Sequence, residues 1–266
     1  MHQALFISHG SPALVISDHP ARDFLIELGQ RLPRPRGALV VSAHFETPGV
    51  TLGSAAAPAT LHDFYGFPEA LYQMRYPAPG MPDTARDLST SLQAAGIDVS
   101  LDDERPLDHG IWSPLSLVWP KAEVPLLPVS VPMALTSREQ LETARQLGDF
   151  ARDHDLWLIG SGAATHNLGD RRPEGTPPDA WAQTFHDWAS EVAERGDLAV
   201  LADWQRQAPH ARHAHPTPEH FLPLLMVVGA MQGEPLHALH QSFSFGNLSM
   251  LTLASQALAA QWQAAA

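Results

Sequence analysis

The sequence predicts an α/β fold, a three-layer sandwich with a largely parallel or mixed central sheet, formed as a single domain over residues 1–266. Three observations predict it. Short unbroken apolar runs, bounded by Gly, Pro and polar residues, suit strands buried on both faces. These runs alternate with segments whose apolar residues recur at helical spacing. No internal repeat, low-complexity tract or linker divides a chain of 266 residues, 44% hydrophobic, which is long enough to bury one large core.

Residues 4–7 form the first apolar run, which ends in Ser8-His9-Gly10-Ser11-Pro12. Over residues 21–32, Phe24, Leu25, Leu28 and Leu32 keep helical spacing until Pro33 and Pro35 stop the helix. Residues 38–42 are the second strand and run into Ala43-His44. The stretch 58–82 is rich in Pro, Gly and aromatics, too apolar for a disordered linker, and reads as an ordered loop that walls a pocket. A helix over 84–95, with Asp83 as N-cap and Gly96 as stop, precedes a strand over 98–101 and a turn at Asp108-His109-Gly110. Residues 124–131 are a further buried strand. The helix over 137–154 carries Leu141, Ala144, Leu147, Phe150 and Ala151 on one face, with Ser137 and Gln140 as a capping box. The strand over 156–159 runs into Gly160-Ser161-Gly162-Ala163-Ala164-Thr165-His166-Asn167. After a Pro-rich insert at 171–178, helices are expected over 180–196 and 222–229. Residues 243–250 read as a strand or loop before a closing Ala-rich helix.

Sixteen Lys and Arg against 29 Asp and Glu give a net charge of −13, which repels nucleic acid and anionic membrane surfaces. There is no cysteine, so any metal must rest on nitrogen and oxygen ligands. The N-terminus lacks a secretory pattern, no apolar stretch approaches the roughly 20 residues of a membrane span, and a cytoplasmic location is expected.

Fifteen histidines carry the chemical interest. His9, His44 and His166 each follow a predicted strand, and α/β sheets collect ligands at such strand ends. Gly10 and Ala43 flank the first two and permit close approach of backbone and ligand. Imidazole is the commonest protein ligand for transition metals, so these positions are metal candidates. His2, His19, His154, His186, His210 and His237 have surroundings that suggest only structural or solvent-exposed roles.

Six segments then acquire a common meaning: Ser8-His9-Gly10-Ser11-Pro12, Ser42-Ala43-His44, His62-Asp63-Phe64-Tyr65-Gly66-Phe67-Pro68, Leu107-Asp108-His109-Gly110, Gly160-Ser161-Gly162 with Ala164-Thr165-His166-Asn167, and His215-Pro216-Thr217-Pro218-Glu219-His220. In this order they resemble the signature segments of the DOPA-dioxygenase type of extradiol aromatic ring-opening dioxygenase, within the class III extradiol superfamily. The resemblance extends to Gly246-Asn247-Leu248-Ser249-Met250 and so covers nearly the whole chain.

The resemblance implies a divalent metal held by His9, His44 and His215, with Fe(II) expected for activity and Zn(II) plausible as the bound ion. His166 is expected to transfer protons first and to ligate metal second, and His109 to face the substrate as the other acid/base group. His62, His220 and Phe64 are the expected substrate contacts, and Asp108 either orients an imidazole or caps its turn. Glu46 and Glu219 are nearby carboxylates that could contest the third ligand position. The implied partners are a small catechol and O2, which would meet on one open-faced ion. Phe45 departs from the Trp common in the family after Ser-Ala-His, which puts DOPA itself in question as the substrate. Two other readings stay open: a zinc-dependent hydrolase with Glu219 or Glu46 as general base, and a non-catalytic metal- or ligand-binding relative. Gly160-Ser161-Gly162 lacks the spacing of a serine hydrolase's nucleophile elbow.

Overall fold

Strands with apolar side chains pointing both ways need cover on both faces, and the computed structural model, which describes residues 1–265, shows both faces covered. The strands are β1 (Ala4–Ser8), β2 (Ala38–Thr47), β3 (Val50–Gly53), β4 (Val99–Asp102), β5 (Leu126–Pro132), β6 (Trp157–Gly162), β7 (Leu236–His240), β8 (Phe243–Ser244), β9 (Leu248–Ser249) and β10 (Thr252–Ser255). The helices are α1 (Pro20–Arg31), α2 (Glu69–Gln73), α3 (Pro82–Ala94), α4 (His109–Val118), α5 (Ser137–Asp153), α6 (Ala180–Arg195), α7 (Leu198–Leu201), α8 (Trp204–Gln207), α9 (Ala211–Ala214), α10 (Leu222–Ala230) and α11 (Gln256–Ala264).

Eight strands form one sheet in the order β4-β3-β5-β2-β6-β1-β10-β7. Its centre, β5-β2-β6-β1, is parallel. β3 runs antiparallel to β5, and β10 antiparallel to both β1 and β7, so the sheet is mixed. Successive side chains of each central strand enter opposite cores. Phe6, Leu39, Val41, Leu127 and Leu158 pack with α3, α5, α6 and α10, whereas Leu5, Ile7, Val40, Leu126 and Ile159 pack with α1, α4 and α11. This is the three-layer arrangement that the apolar runs predict. No described helix is long and apolar enough to cross a membrane.

Several boundaries differ from expectation for identifiable reasons. Pro82 occupies the first turn of α3 and Met81 is its N-cap, which places Asp83 inside the first turn, where its charge still complements the helix dipole. The capping box of α5 is Thr136 with Glu139, one residue earlier than Ser137 with Gln140. The expected turn at His109 is the first residue of α4, whose interior contains Pro114. β7 and β10 escape prediction because Leu236-His237-Ala238-Leu239-His240 and Thr252-Leu253-Ala254-Ser255 lack the branched apolar character of the central strands. Residues 243–250 contain a two-stranded hairpin of β8 and β9.

α5 and α10 pack closely at Gly148, where an added Cβ would lie 2.4 Å from the Ala230 carbonyl oxygen. Gly148→Ala is therefore expected to destabilise the protein by about 1–3 kcal/mol through overpacking, despite a helix-propensity gain of about 0.5–1 kcal/mol. A rise in the urea midpoint would contradict this.

Candidate metal centre and active site

Three of the four central strands deliver the site. β1 ends at Ser8, and His9 follows with its backbone N–H donating to the Gly162 carbonyl at 3.0 Å. β2 runs through His44, but its ladder with β5 is irregular between Val41 and Glu46, so His44 falls where the strand loosens from its neighbour. At the end of β6, Gly162 leaves room for another segment: a Cβ there would lie 2.2 Å from the His220 carbonyl oxygen. The chain before α10 occupies that room, and the Ala163 N–H donates to the same carbonyl at 2.8 Å. In this way a glycine on β6 brings His220 to the mouth of the sheet.

The result is a cluster of imidazoles. Nε2 of His9 and Nε2 of His44 are 3.2 Å apart, and one ring nitrogen from each of His9, His44 and His220 lies within 4.8 Å of the others. His166 stacks on His220 with ring centroids 3.4 Å apart and planes 8° from parallel. His109 lies 4.0 Å from His44 between centroids. Two carboxylates join the cluster, Asp63 beside His44 and His109, and Glu219 beside His166 and His220.

Hydrogen bonding behind the rings determines which nitrogens face inward. Pro114 has no N–H, so the Gly110 carbonyl one turn earlier in α4 lacks its helical donor. The Ser161 hydroxyl supplies one. Having given its only proton to Gly110, Ser161 Oγ can only accept from Nδ1 of His9, 3.0 Å away. His9 therefore carries its proton on Nδ1 and presents an Nε2 lone pair to His44. Nδ1 of His220 donates to Glu219 Oε1 at 2.8 Å, which leaves its Nε2 lone pair free in the same way. Such outer partners are the usual means of fixing ligand tautomer and orientation.

The backbone of His44 is enclosed by a second network. Its N–H donates to Ser42 Oγ at 3.2 Å, and Ser42 Oγ donates to Asp108 Oδ1 at 2.6 Å. Arg105 Nη2 donates to Asp108 Oδ2 at 2.6 Å and to the His44 carbonyl at 3.1 Å. Asp108 is fully buried, and burial pushes its pKa up against the opposing pull of Ser42 and Arg105. Its carboxylate orients this network and makes no helix-capping hydrogen bond. The Phe45 ring is buried under the Arg105 guanidinium, 3.9 Å from it, and so belongs to the same support.

Burial, reinforced by neighbouring imidazoles, holds His9 and His220 well below the ordinary histidine range. Burial and His109 lower His44 to about 3, and burial lowers His166 to about 4. All four are neutral at physiological pH, which keeps their lone pairs available. Asp63 behaves oppositely: burial would raise it, but hydrogen bonds and charge from His109 together with His44 hold it at about 2, as a carboxylate.

The donor set fits a metal ion. Ligands about 2.0–2.1 Å from a four- to six-coordinate ion sit roughly 2.9–3.4 Å from each other, and the His9–His44 separation of 3.2 Å falls within that range.

His215 is not part of the cluster. Its ring is buried among Phe185, Trp204 and Phe221, and Nε2 donates to the Ala164 carbonyl at 2.9 Å. Together with the bonds from His166 N–H to the Ala214 carbonyl (2.9 Å) and from Asn167 Nδ2 to the His213 carbonyl (2.8 Å), it fastens the loop that carries His166. Contrary to the expectation that His215 joins His9 and His44, the structure places His215 away from them and brings His220 to them, since Pro216 and Pro218 turn the chain between the two histidines. His62, expected as a substrate contact, lies behind Phe64 as seen from His109 and is tied to the protein by other bonds. Its Nε2 bonds the Met74 carbonyl at 3.2 Å, and its ring packs against Phe64, Tyr72 and Trp112. Phe64 does reach the cluster, edge-on to His109 at 5.8 Å. Sequence alone does not single out Asp63, although its place beside His62 in an aromatic loop is the available signal.

Comparison with known proteins agrees in kind. A family model for the catalytic LigB subunit of aromatic ring-opening dioxygenase matches residues 3–252. The chain is 37% identical over 266 residues to the 4,5-DOPA dioxygenase extradiol of Escherichia coli (strain K12), covering 94% of this chain and 93% of that protein. It is 34% identical over 254 residues to the 4,5-DOPA dioxygenase extradiol of Beta vulgaris, covering 93% and 94%. The crystal structure of an uncharacterized protein from Escherichia coli K12 matches with a TM-score of 0.78 at 31% identity, over 96% of this chain and 100% of that one.

His215 yields a test of its own. Burial lowers it to about 4 against the opposing pull of its bond to the Ala164 carbonyl, whereas an unfolded imidazole titrates near 6.5. Between those values the unfolded chain binds more protons, so this contribution to stability is complete above about pH 6.5 and is lost as pH falls toward 4, by at most roughly 3 kcal/mol. In denaturant unfolding at pH 7 and pH 4.5, His215→Phe is expected to lose less stability on acidification than the parent chain. An equal loss in both would show that His215 is not the titrating group.

Proposed function

Because this chain belongs to the family of catalytic LigB subunits of aromatic ring-opening dioxygenases, we propose that it opens the ring of a small catechol with O2 in the extradiol sense, giving a semialdehyde, with iron(II) held by His9, His44 and His220. The observation that carries this reading is the convergence of imidazole nitrogens from three separate segments, two of them 3.2 Å apart, with Nδ1 of His9 and His220 already engaged behind the rings.

Iron(II) bound there would supply Lewis acidity toward catechol oxygens, open coordination positions and one-electron chemistry with O2. Zinc(II) suits the same nitrogens but does not change valence. The chain's own groups divide the remaining tasks. His109 keeps its Nδ1 proton on Asp63, 2.9 Å away, and so offers Nε2 as the acceptor for a catechol proton. His166, neutral and stacked on His220, is the second imidazole able to take up and return a proton. Phe64 presents an aromatic surface beside His109, suited to the face or edge of a substrate ring. Glu219 Oε1 accepts from His220 Nδ1 and from Thr217 Oγ1, which gives this carboxylate a part in orienting His220.

Protein purified without oxygen and reloaded with iron(II) is expected to consume O2 and form a yellow ring-fission product with at least one of DOPA, caffeate and protocatechuate. Absence of both signals with all three would refute the assignment. His9→Ala, His44→Ala and His220→Ala should each lose the metal, while His215→Ala should retain it. His109→Ala and His166→Ala should retain metal with turnover reduced roughly 10²–10⁴-fold. Ser161→Ala, which removes the acceptor behind His9, should weaken metal affinity roughly 10–100-fold in a chelator competition.

A further inference from the structure

Asp63 faces two imidazoles that the proposed function places in different roles. Its Oδ1 accepts from the His109 backbone N–H at 3.0 Å and from His109 Nδ1 at 2.9 Å. Its Oδ2 lies 3.6 Å from Nδ1 of His44. From these distances, and resting on the metal and acid/base roles given above, we propose that Asp63 is a positioning residue that sets the tautomers of both rings at once, making His44 an Nε2 ligand and His109 an Nε2 proton acceptor.

The need for such a group lies in the His9–His44 pair. Ser161 commits His9 to an Nε2 lone pair directed at His44 Nε2, 3.2 Å away. A neutral His44 then has two choices. With its proton on Nε2 it hydrogen-bonds to His9, and the pair satisfies itself, with neither nitrogen free for an ion. With its proton on Nδ1, both lone pairs stay open. The first arrangement gains a hydrogen bond within a buried cluster, so the second prevails only if an acceptor rewards a proton on Nδ1. The carboxylate of Asp63 lies on that side of the ring. At 3.6 Å it acts on His44 through charge more than through a formed hydrogen bond, while its other oxygen is held in place by two donors from His109. The residue that keeps the metal pair open is therefore anchored by the acid/base histidine.

Asp63→Asn tests this with little change in size. The single amide oxygen remains with the two His109 donors, so the amide NH2 faces His44 Nδ1 and demands a lone pair there. In 15N-histidine spectra of metal-free protein, one ring with its proton on Nδ1 in the parent is expected to become Nε2-protonated. Zinc(II) affinity, measured by chelator competition, is expected to fall about 10–100-fold. With iron(II) loaded at saturation, kcat should fall while KM for the catechol changes less than threefold. His109→Phe, which removes the ring donor but leaves the backbone N–H and the carboxylate itself, should lower zinc affinity less than Asp63→Asn does, and an equal or larger loss would overturn the proposal. An unchanged spectrum and unchanged zinc affinity in Asp63→Asn would overturn the proposal. The spectral and zinc measurements need no turnover, so a parent protein inactive on every catechol refutes the enzymatic reading alone. An active parent with an unaltered Asp63→Asn site refutes the role of Asp63 alone.

Discussion

The site depends on a convergence of lone pairs that the protein must keep open. Neutral imidazoles pressed together in a buried cluster would otherwise hydrogen-bond to one another, as Nε2 of His9 and His44 are close enough to do. What opposes this is the set of partners on the outer nitrogens: Ser161 behind His9, Glu219 behind His220, and the Asp63 carboxylate beside His44. Each inner nitrogen is directed by a bond made on the far side of its ring, so the chemistry at the centre is determined one layer out.

That outer layer is tied to features of the fold with no chemical role of their own. Pro114 removes an N–H from α4, the Gly110 carbonyl becomes free, Ser161 donates to it, and His9 is left with one permitted tautomer. Gly162 allows the His220 segment to lie against the end of β6, where a methyl group would collide with a backbone carbonyl. Arg105, Asp108 and Ser42 fasten the backbone of His44 just where β2 loosens from β5. A helix-interior proline, a glycine and a partly buried ion pair thus bear on the same few nitrogens.

Much of this was legible along the chain because it is local. The runs at 4–7, 38–42 and 156–159 read as buried strands, and each did belong to the sheet's parallel centre. His9 and His44 stood out by their place after such runs. The segment 213–220 was harder, since it holds three histidines and no periodicity separates them. His213 pairs with Asp170 near the surface, His215 enters an aromatic core, and His220 joins His9 and His44. Asp63 was obscured for a similar reason: beside His62 and Phe64 it looked like one polar residue of an aromatic loop, and its two imidazole partners lie 19 and 46 positions away.

Sequence by itself determined the layered α/β architecture and the strand ends at which histidines gather, because hydrophobic periodicity and turn chemistry act between near neighbours. It also confined any metal to nitrogen and oxygen donors, through the lack of cysteine. Tertiary structure alone decided which histidine of a crowded segment joins the cluster, which partner stands behind each ring, and which carboxylates lie beside them. Those outcomes rest on hydrogen bonds spanning up to 152 positions and on gaps of a few tenths of an ångström between packed elements, and neither leaves a periodic trace in the order of residues.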